Sequence, residues 1–507
     1  MNGRILTMDP SLPRASLISI QGNRIAYVDR DEKIKYLKGR KTKVIDLRNK
    51  SVLPGFHDAH CHIHALAESF ITPLLNRARG IRSIADIQEE LKKVSQNTSV
   101  GGWIKSGGYH EFNLTDKRHP LRWDLDAVSL VHPIKITHQT GHAHVLNSLA
   151  LNLVGISRET PDPPNGIIDR DFDTGEPTGL LYGMGDLLVS KIPPVNIQDL
   201  EAGIKKVNQE LLSMGITSIQ DASARNNIQS WHMFQNWKTH KMLKSRVCMM
   251  LGLQGFQTLS SHSYSTELDS DHLRLGGVKI MVDETTGQVS PCQAELNSLV
   301  FKVHQAGFQV IIHAIEKAAI ETACAALEYA LRKSPRANHR HRIEHCSICP
   351  PILAKRLASL GVIVVTQPAF IYYNGERYLQ TIPAKQLAFL YPIATFLKHK
   401  IQVAGSSDCP IIPPDPLKGI FAATSRRSQE GEIILPEERI PVEEALRMFS
   451  INPASAIFEE SRRGTITPGK LADLVVLNGD PTQLPLEAIP DLNIEMTILD
   501  GQVVWEK

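Results

Sequence analysis

Short apolar runs recur through the middle of the chain and beyond, at 215–220, 246–251, 277–282, 308–312, 341–344, 362–366 and 401–404. Helix-like stretches such as 318–331 and 351–360 lie between them. This alternation signals βα units, because neighbouring parallel strands need a crossover long enough to hold a helix. The run Ser51-Val52-Leu53, just before Pro54-Gly55, reads as an eighth buried strand. Eight such strands predict an α/β fold, a TIM-like (β/α)8 barrel whose reactive face lies at the C-terminal ends of its strands.

The two ends of the chain read differently. Segments 15–20, 24–28 and 44–47 look like strands around the turn Gln21-Gly22-Asn23. Near the other end, 472–477, 496–499 and 502–505 do the same, with Asp500-Gly501 as a tight turn. Neither end carries enough strand to form a stable sheet alone. The economical solution is one small β-sandwich built from both termini. Between His62 and the strand near Gly215 lie roughly 150 residues, where one crossover of roughly 30 residues is expected. The chain therefore divides into an N-terminal sandwich segment (1–53), barrel strand one (54–69), an insertion (70–200), the remaining barrel (201–458) and a C-terminal sandwich segment (459–507). An insertion after strand one is expected on the catalytic face, as a lid or substrate pocket.

Charge and composition narrow the functional classes. The 56 basic and 53 acidic side chains of the 507 residues nearly cancel, to a net +3. That balance supports neither a nucleic-acid nor a membrane-surface partner. The first twenty residues lack the pattern of a signal peptide, and no window reaches the roughly 18 apolar residues of a membrane span. Seven cysteines without a dense framework point to reduced thiols in the cytoplasm. A small-molecule substrate is the expected partner; homo-oligomerisation is open, with no sequence feature for it.

The strand ends carry the chemistry. In Leu53-Pro54-Gly55-Phe56-His57-Asp58-Ala59-His60-Cys61-His62, two imidazoles two residues apart share one strand face and suit a borderline-soft divalent metal such as zinc. Lys279 lies in strand four, His313 ends strand five, His345 ends strand six and Asp408 follows strand eight. The steps 279 to 313 and 313 to 345 are each near one βα unit, and 345 to 408 is near two, passing Gln367. Alone, each strand-end histidine is more often a hydrogen-bonding group than a ligand. Four histidines, a lysine and an aspartate in barrel phase form a candidate metal site.

With these residues in place, the chain resembles the amidohydrolase superfamily, in its family 3 branch of metal-dependent hydrolases with a large insertion after strand one. The resemblance also covers Gly141-His142, Asn147-Ser148-Leu149-Ala150-Leu151, Gly175-Glu176-Pro177-Thr178-Gly179, Asn452-Pro453-Ala454 and Pro468-Gly469-Lys470-Leu471-Ala472-Asp473. It implies that His60 and His62 bind a more buried metal and His313 and His345 a more exposed one. It further implies a bridging carbamylated Lys279, and an Asp408 that ligates metal and serves as general base. Two zinc ions, or manganese, cobalt or iron, are the implied cofactors. The implied reaction is hydrolysis of an amide, carbamate or related non-peptide C–N bond in a small organic substrate.

Alternatives stay open. Lys279 as a plain amine with one metal would favour an aminohydrolase, or deaminase, acting on a ring C–N bond. A non-catalytic binding protein on the same scaffold is a further alternative. His142 is a candidate substrate contact, with a structural role as its alternative. Cys346-x-x-Cys349 lacks a second pair, which leaves zinc-ribbon and redox roles poorly supported. Thr285-Thr286-Gly287 is read as a loop near the pocket. Leu180-Leu181 follows Thr178-Gly179 where the branch has an acidic residue, and Glu284 follows Asp283 where it has glycine.

Overall fold

The computed structural model describes residues 1–30, 37–260, 270–284 and 287–507, so Thr285 and Thr286 lie outside the described residues. The described chain forms two compact units: Met1–Ile63 with Val207–Val282 and Pro291–Lys507, and His64–Lys206 with Asp283–Ser290.

The larger unit contains an eight-stranded parallel sheet. In order its strands are Phe56–Cys61, Ile216–Asp221, Arg246–Gly252, Leu273–Met281, Val310–Ala314, Arg342–His345, Ile363–Thr366 and Val403–Gly405. They are called barrel strands one to eight below. Most are buried along their whole length, and each fully buried Val or Ile contributes about 1.5–3 kcal/mol. The register sets strand ends level: Met281 lies opposite His313, and Ala314 opposite His345. Strands eight and one meet without a regular ladder. Instead Asp408 N–H donates to His60 O, and His62 N–H to Cys409 O, both at 2.9 Å.

The first barrel strand is not the one the apolar run suggests. Ser51–Pro54 belongs to a six-stranded sheet, between Arg4–Leu6 and Leu474–Leu477. The barrel strand is Phe56–Cys61, which contains His60. The chain changes sheets at Gly55, whose N–H donates to Asp473 O, while Phe56 N–H donates to Gly215 O. A Cβ at Gly55 would overlap the Thr217 side chain. An uninterrupted apolar run carries no mark of which sheet receives it.

The six-stranded sheet draws strands from both ends of the chain, in the order Arg14–Ala15, Arg4–Leu6, Ser51–Pro54, Leu474–Leu477, Ile494–Leu499, Gln502–Glu506. Leu17–Gln21 and Arg24–Asp29 form a separate hairpin. Residues 44–47 form no strand. Met1 ammonium donates to Ile45 O and Leu47 N–H to Met1 O, isolated bonds that tie down a segment rich in exposed charge. Buried Arg246 of barrel strand three reaches Asp473 at 2.6 and 2.9 Å and Asp500 at 2.5 Å, joining barrel to terminal sheet.

The smaller unit is built on a five-stranded mixed sheet, ordered Ile167–Arg170, Pro177–Tyr182, Ala143–Leu146, Ile134–His138, Ile104–Tyr109. Helix Ile84–Ser95 starts at a capping box of Ser83 and Asp86 and buries Ile84, Ile87 and Leu91. Asn147 caps helix Ser148–Val154 and also accepts from Ile134 N–H, which fixes that helix to the sheet. Among the described residues, no helix is long and apolar enough to cross a membrane.

Candidate functional site

The C-terminal ends of the barrel strands bring His60, His62 and Asp408 to one point. Asp408 Oδ1 lies 3.0 Å from His62 Nε2 and 3.5 Å from His60 Nε2. Lys279 Nζ is 3.4 Å from His60 Nε2. His345 Nδ1 lies 4.0 Å from Asp408 Oδ2, its ring centroid 4.9 Å from that of His60. His313 joins through His345, with ring centroids 4.5 Å apart. His345 and Asp408 both adopt left-handed backbone, φ 69° and 58°. Such strain in non-glycine residues persists only where surrounding bonds fix it.

Three imidazoles are held through Nδ1. His60 Nδ1 faces Glu344 Oε2 at 2.5 Å, His62 Nδ1 faces Ser223 Oγ at 3.2 Å, and His345 Nδ1 faces Gln367 Oε1 at 2.9 Å. Gln367 Nε2 donates to Ser406 Oγ at 2.9 Å, which turns its amide oxygen toward His345. Glu344 is held in turn by fully buried Arg342, at 2.8 and 2.9 Å, and Arg342 also binds Ala59 O and Gln220 Oε1. Arg342 and Glu344 sit two apart on one strand, so they share a face. Outer partners of this kind fix tautomer and ring orientation.

Electrostatics follow the burial. Burial, with the Lys279 charge adding, pushes His60 well below its usual value; burial also lowers His345. Both imidazoles are therefore neutral at physiological pH. Burial would raise Asp408, yet the His62 hydrogen bond and the imidazoles of His60 and His345 outweigh it and hold the carboxyl well below the usual range. Burial pushes the Lys279 amine down to about 8. It raises Asp58 to about 6, against the Ser407 hydroxyl at 2.5 Å and the His60 N–H at 3.1 Å. Asp58 thus ties the turn after strand eight to strand one.

Glu344, Arg342 and Ser223 carry no role in the sequence-based expectations, and Gln367 enters them only as a residue passed between strands. The signal available was Arg342-x-Glu344, two charges two apart in a short, fully buried strand. His142 sits in the smaller unit, half-buried in the bend before strand Ala143–Leu146; its carbonyl accepts from Gly183 N–H. His144 is buried in that strand, with Nδ1 3.2 Å from Thr137 Oγ1. Cys346 and Cys349 are buried free thiols.

Known proteins match along the whole chain. The model of the Amidohydrolase family matches residues 43–505. N-substituted formamide deformylase of Arthrobacter pascens is 27% identical over 536 residues, covering 100% of this chain and 98% of its own length. YtcJ of Bacillus subtilis (strain 168) is 27% identical over 532 residues, covering 100% and 98%. Among solved structures, an uncharacterized metal-dependent hydrolase from Pyrococcus horikoshii OT3 superposes with a TM-score of 0.76 at 23% identity, over 96% of this chain and 98% of its own.

Proposed function

The chain belongs to the amidohydrolase family, and from that premise we propose that it hydrolyses a non-peptide C–N bond of a small organic amide, carbamate or related compound at the barrel-mouth cluster. The observation that carries this reading is the shared geometry of His60, His62 and His345. Each has Nδ1 committed to an outer partner, and the Nε2 atoms of His60 and His62 meet at Asp408 Oδ1. Imidazole and carboxylate donors arranged so fit a divalent ion.

His60, His62, His313, His345 and Asp408 would hold zinc, or manganese, cobalt or iron. A carbamate on Lys279 would supply the further anionic donor that a second ion needs. When bound, the metal supplies a Lewis acid for the carbonyl and lowers the pKa of water toward neutrality. Asp408 is ionised at neutral pH, so it accepts the proton of the attacking water and returns it to the leaving amine. Burial keeps His60 and His345 unprotonated and thus able to donate a lone pair. Lys279, lowered toward neutrality, presents an amine that can add carbon dioxide, losing a proton and becoming an anion. That exchange removes a cation from beside the ion site. His142 is assigned to substrate contact, and His142→Ala should raise KM with little change in kcat.

A relative named for deformylation of N-substituted formamides supports the C–N bond as the target. The test is hydrolysis of a library of N-substituted formamides, amides, carbamates, ureas and amino-substituted rings, by chelator-treated protein before and after zinc or manganese is restored. Amine and carboxylate release on metal addition is expected. Ammonia release from the ring compounds alone would move the reading to an aminohydrolase, and no turnover with any metal would overturn it.

A further inference from the structure

Apart from the barrel cluster, the described residues hold one more group of histidine and carboxylate donors close enough to share an ion: His110, Glu111 and His138, all within the smaller unit. Its origin is the register of two neighbouring parallel strands. Ile104–Tyr109 and Ile134–His138 pair with Tyr109 opposite His138. His110 and Glu111, which follow the first strand, therefore arrive beside the end of the second.

Glu111 Oε2 is the focus. It lies 2.9 Å from His138 Nε2, 3.2 Å from His110 Nδ1 and 3.7 Å from His119 Nε2. That oxygen is buried, and the imidazole nitrogens of His110 and His138 are the groups that face it. A buried carboxylate oxygen needs compensation by a donor or a cation. One imidazole is oriented from behind by a hydroxyl alone: His119 Nδ1 faces Tyr109 OH at 3.0 Å, while His138 Nδ1 meets both Thr140 Oγ1 at 2.8 Å and the Thr140 N–H at 3.2 Å. The hydroxyl behind His119 aims that ring's far nitrogen at the cluster, as at a metal site. The His110 and His138 rings are 4.4 Å apart at their centroids.

We propose that His110, Glu111 and His138 bind a divalent metal of the zinc class, with His119 as fourth donor. Mixed imidazole and carboxylate donors select zinc or a neighbouring transition ion over calcium or magnesium, which prefer all-oxygen sites. The ion displaces Phe112 N–H, 3.2 Å from His110 Nδ1, and takes the His138 tautomer whose Nδ1–H donates to Thr140 Oγ1 in place of accepting the Thr140 N–H. A site with four protein donors is structural in type, and it pins the turn Glu111–Asn113 to the end of strand Ile134–His138.

The test is metal stoichiometry of the full-length protein by elemental analysis, with the two clusters removed separately. A His60→Ala/His62→Ala variant, dialysed against zinc, is expected to keep one tightly held equivalent at the second cluster and to gain thermal stability from zinc. No bound equivalent in that folded variant would overturn the proposal. A His110→Gln/His138→Gln variant of the otherwise intact chain provides the check should the first fail to fold. It is expected to hold one equivalent fewer than the parent, and an unchanged count would overturn the proposal.

Discussion

Glu344 Oε2 lies 2.5 Å from His60 Nδ1, and the same carboxylate is clamped by two bonds from Arg342. A charged acceptor behind an imidazole raises its basicity and fixes which nitrogen faces a metal. Glu344→Gln keeps an acceptor but removes the charge. Metal affinity in a chelator competition is expected to fall by about 10–100-fold. Unchanged affinity in the folded variant would show that Glu344 does not tune His60.

Lys279 is buried, and its amine is pushed down to about 8 by that burial. A sizeable neutral fraction then exists at mildly alkaline pH, ready to take up carbon dioxide. Native mass spectrometry in bicarbonate buffer should show the mass of one added carbon dioxide, absent in Lys279→Arg. Reconstitution of wild type should load two ions with bicarbonate and fewer without it. A mass and metal count indifferent to bicarbonate would leave Lys279 an amine.

The base of the barrel holds a directional chain of histidines. Val310 N–H donates to His341 Nδ1, so His341 Nε2–H donates to His304 Nδ1, and His304 Nε2–H to Ser334 O. Burial, helped by His339 and Arg336, pushes His341 down to about 2. An unfolded histidine protonates near 6.5, so below that pH the unfolded chain binds more protons. Stability should therefore fall as pH drops from about 6.5, by up to about 1.4 kcal/mol per unit from this group. His341→Gln should be less stable at pH 7.5 yet show a shallower acid slope in denaturant melts. An identical slope would exclude His341 as the source.

Arg246 is buried between Asp473 and Asp500. Asp473→Asn leaves that guanidinium short of its main partner and should cost about 3–5 kcal/mol in chemical unfolding. Burial alone would raise Asp500, but His272 and Arg246 outweigh it and hold it low. A depressed carboxylate stabilises above its unfolded value near 4, and that share is lost as pH falls further. A loss under about 1 kcal/mol in Asp473→Asn would show the pair to be screened as a surface bridge is.

The barrel was legible because period, spacing and strand-end residues agree. Lys279, His313 and His345 recur at one βα unit, and the register brings the ends of their strands level, Met281 opposite His313 and Ala314 opposite His345. The apolar run Ser51 to Leu53 reads as a barrel strand because it leads directly into the strand Phe56–Cys61, and only Gly55 marks the passage between sheets. The outer partners were not legible for a different reason. Glu344 touches His60, 284 residues away, and Gln367 touches His345 from the next strand. Such pairs depend on tertiary closure, which spacing along the chain does not encode. The His110, Glu111 and His138 group was hidden likewise, since its donors meet only through the pairing of two strands in the insertion.

Asp408 is where the proposed chemistry is most exposed to test. Asp408→Asn retains the size and one oxygen of the side chain but cannot accept the proton. For metal-restored protein on whichever C–N substrate the library identifies, kcat is expected to fall by about 10²–10⁴-fold, with metal still bound. A metal-loaded Asp408→Asn protein turning over within a few-fold of wild type would contradict Asp408 as the base.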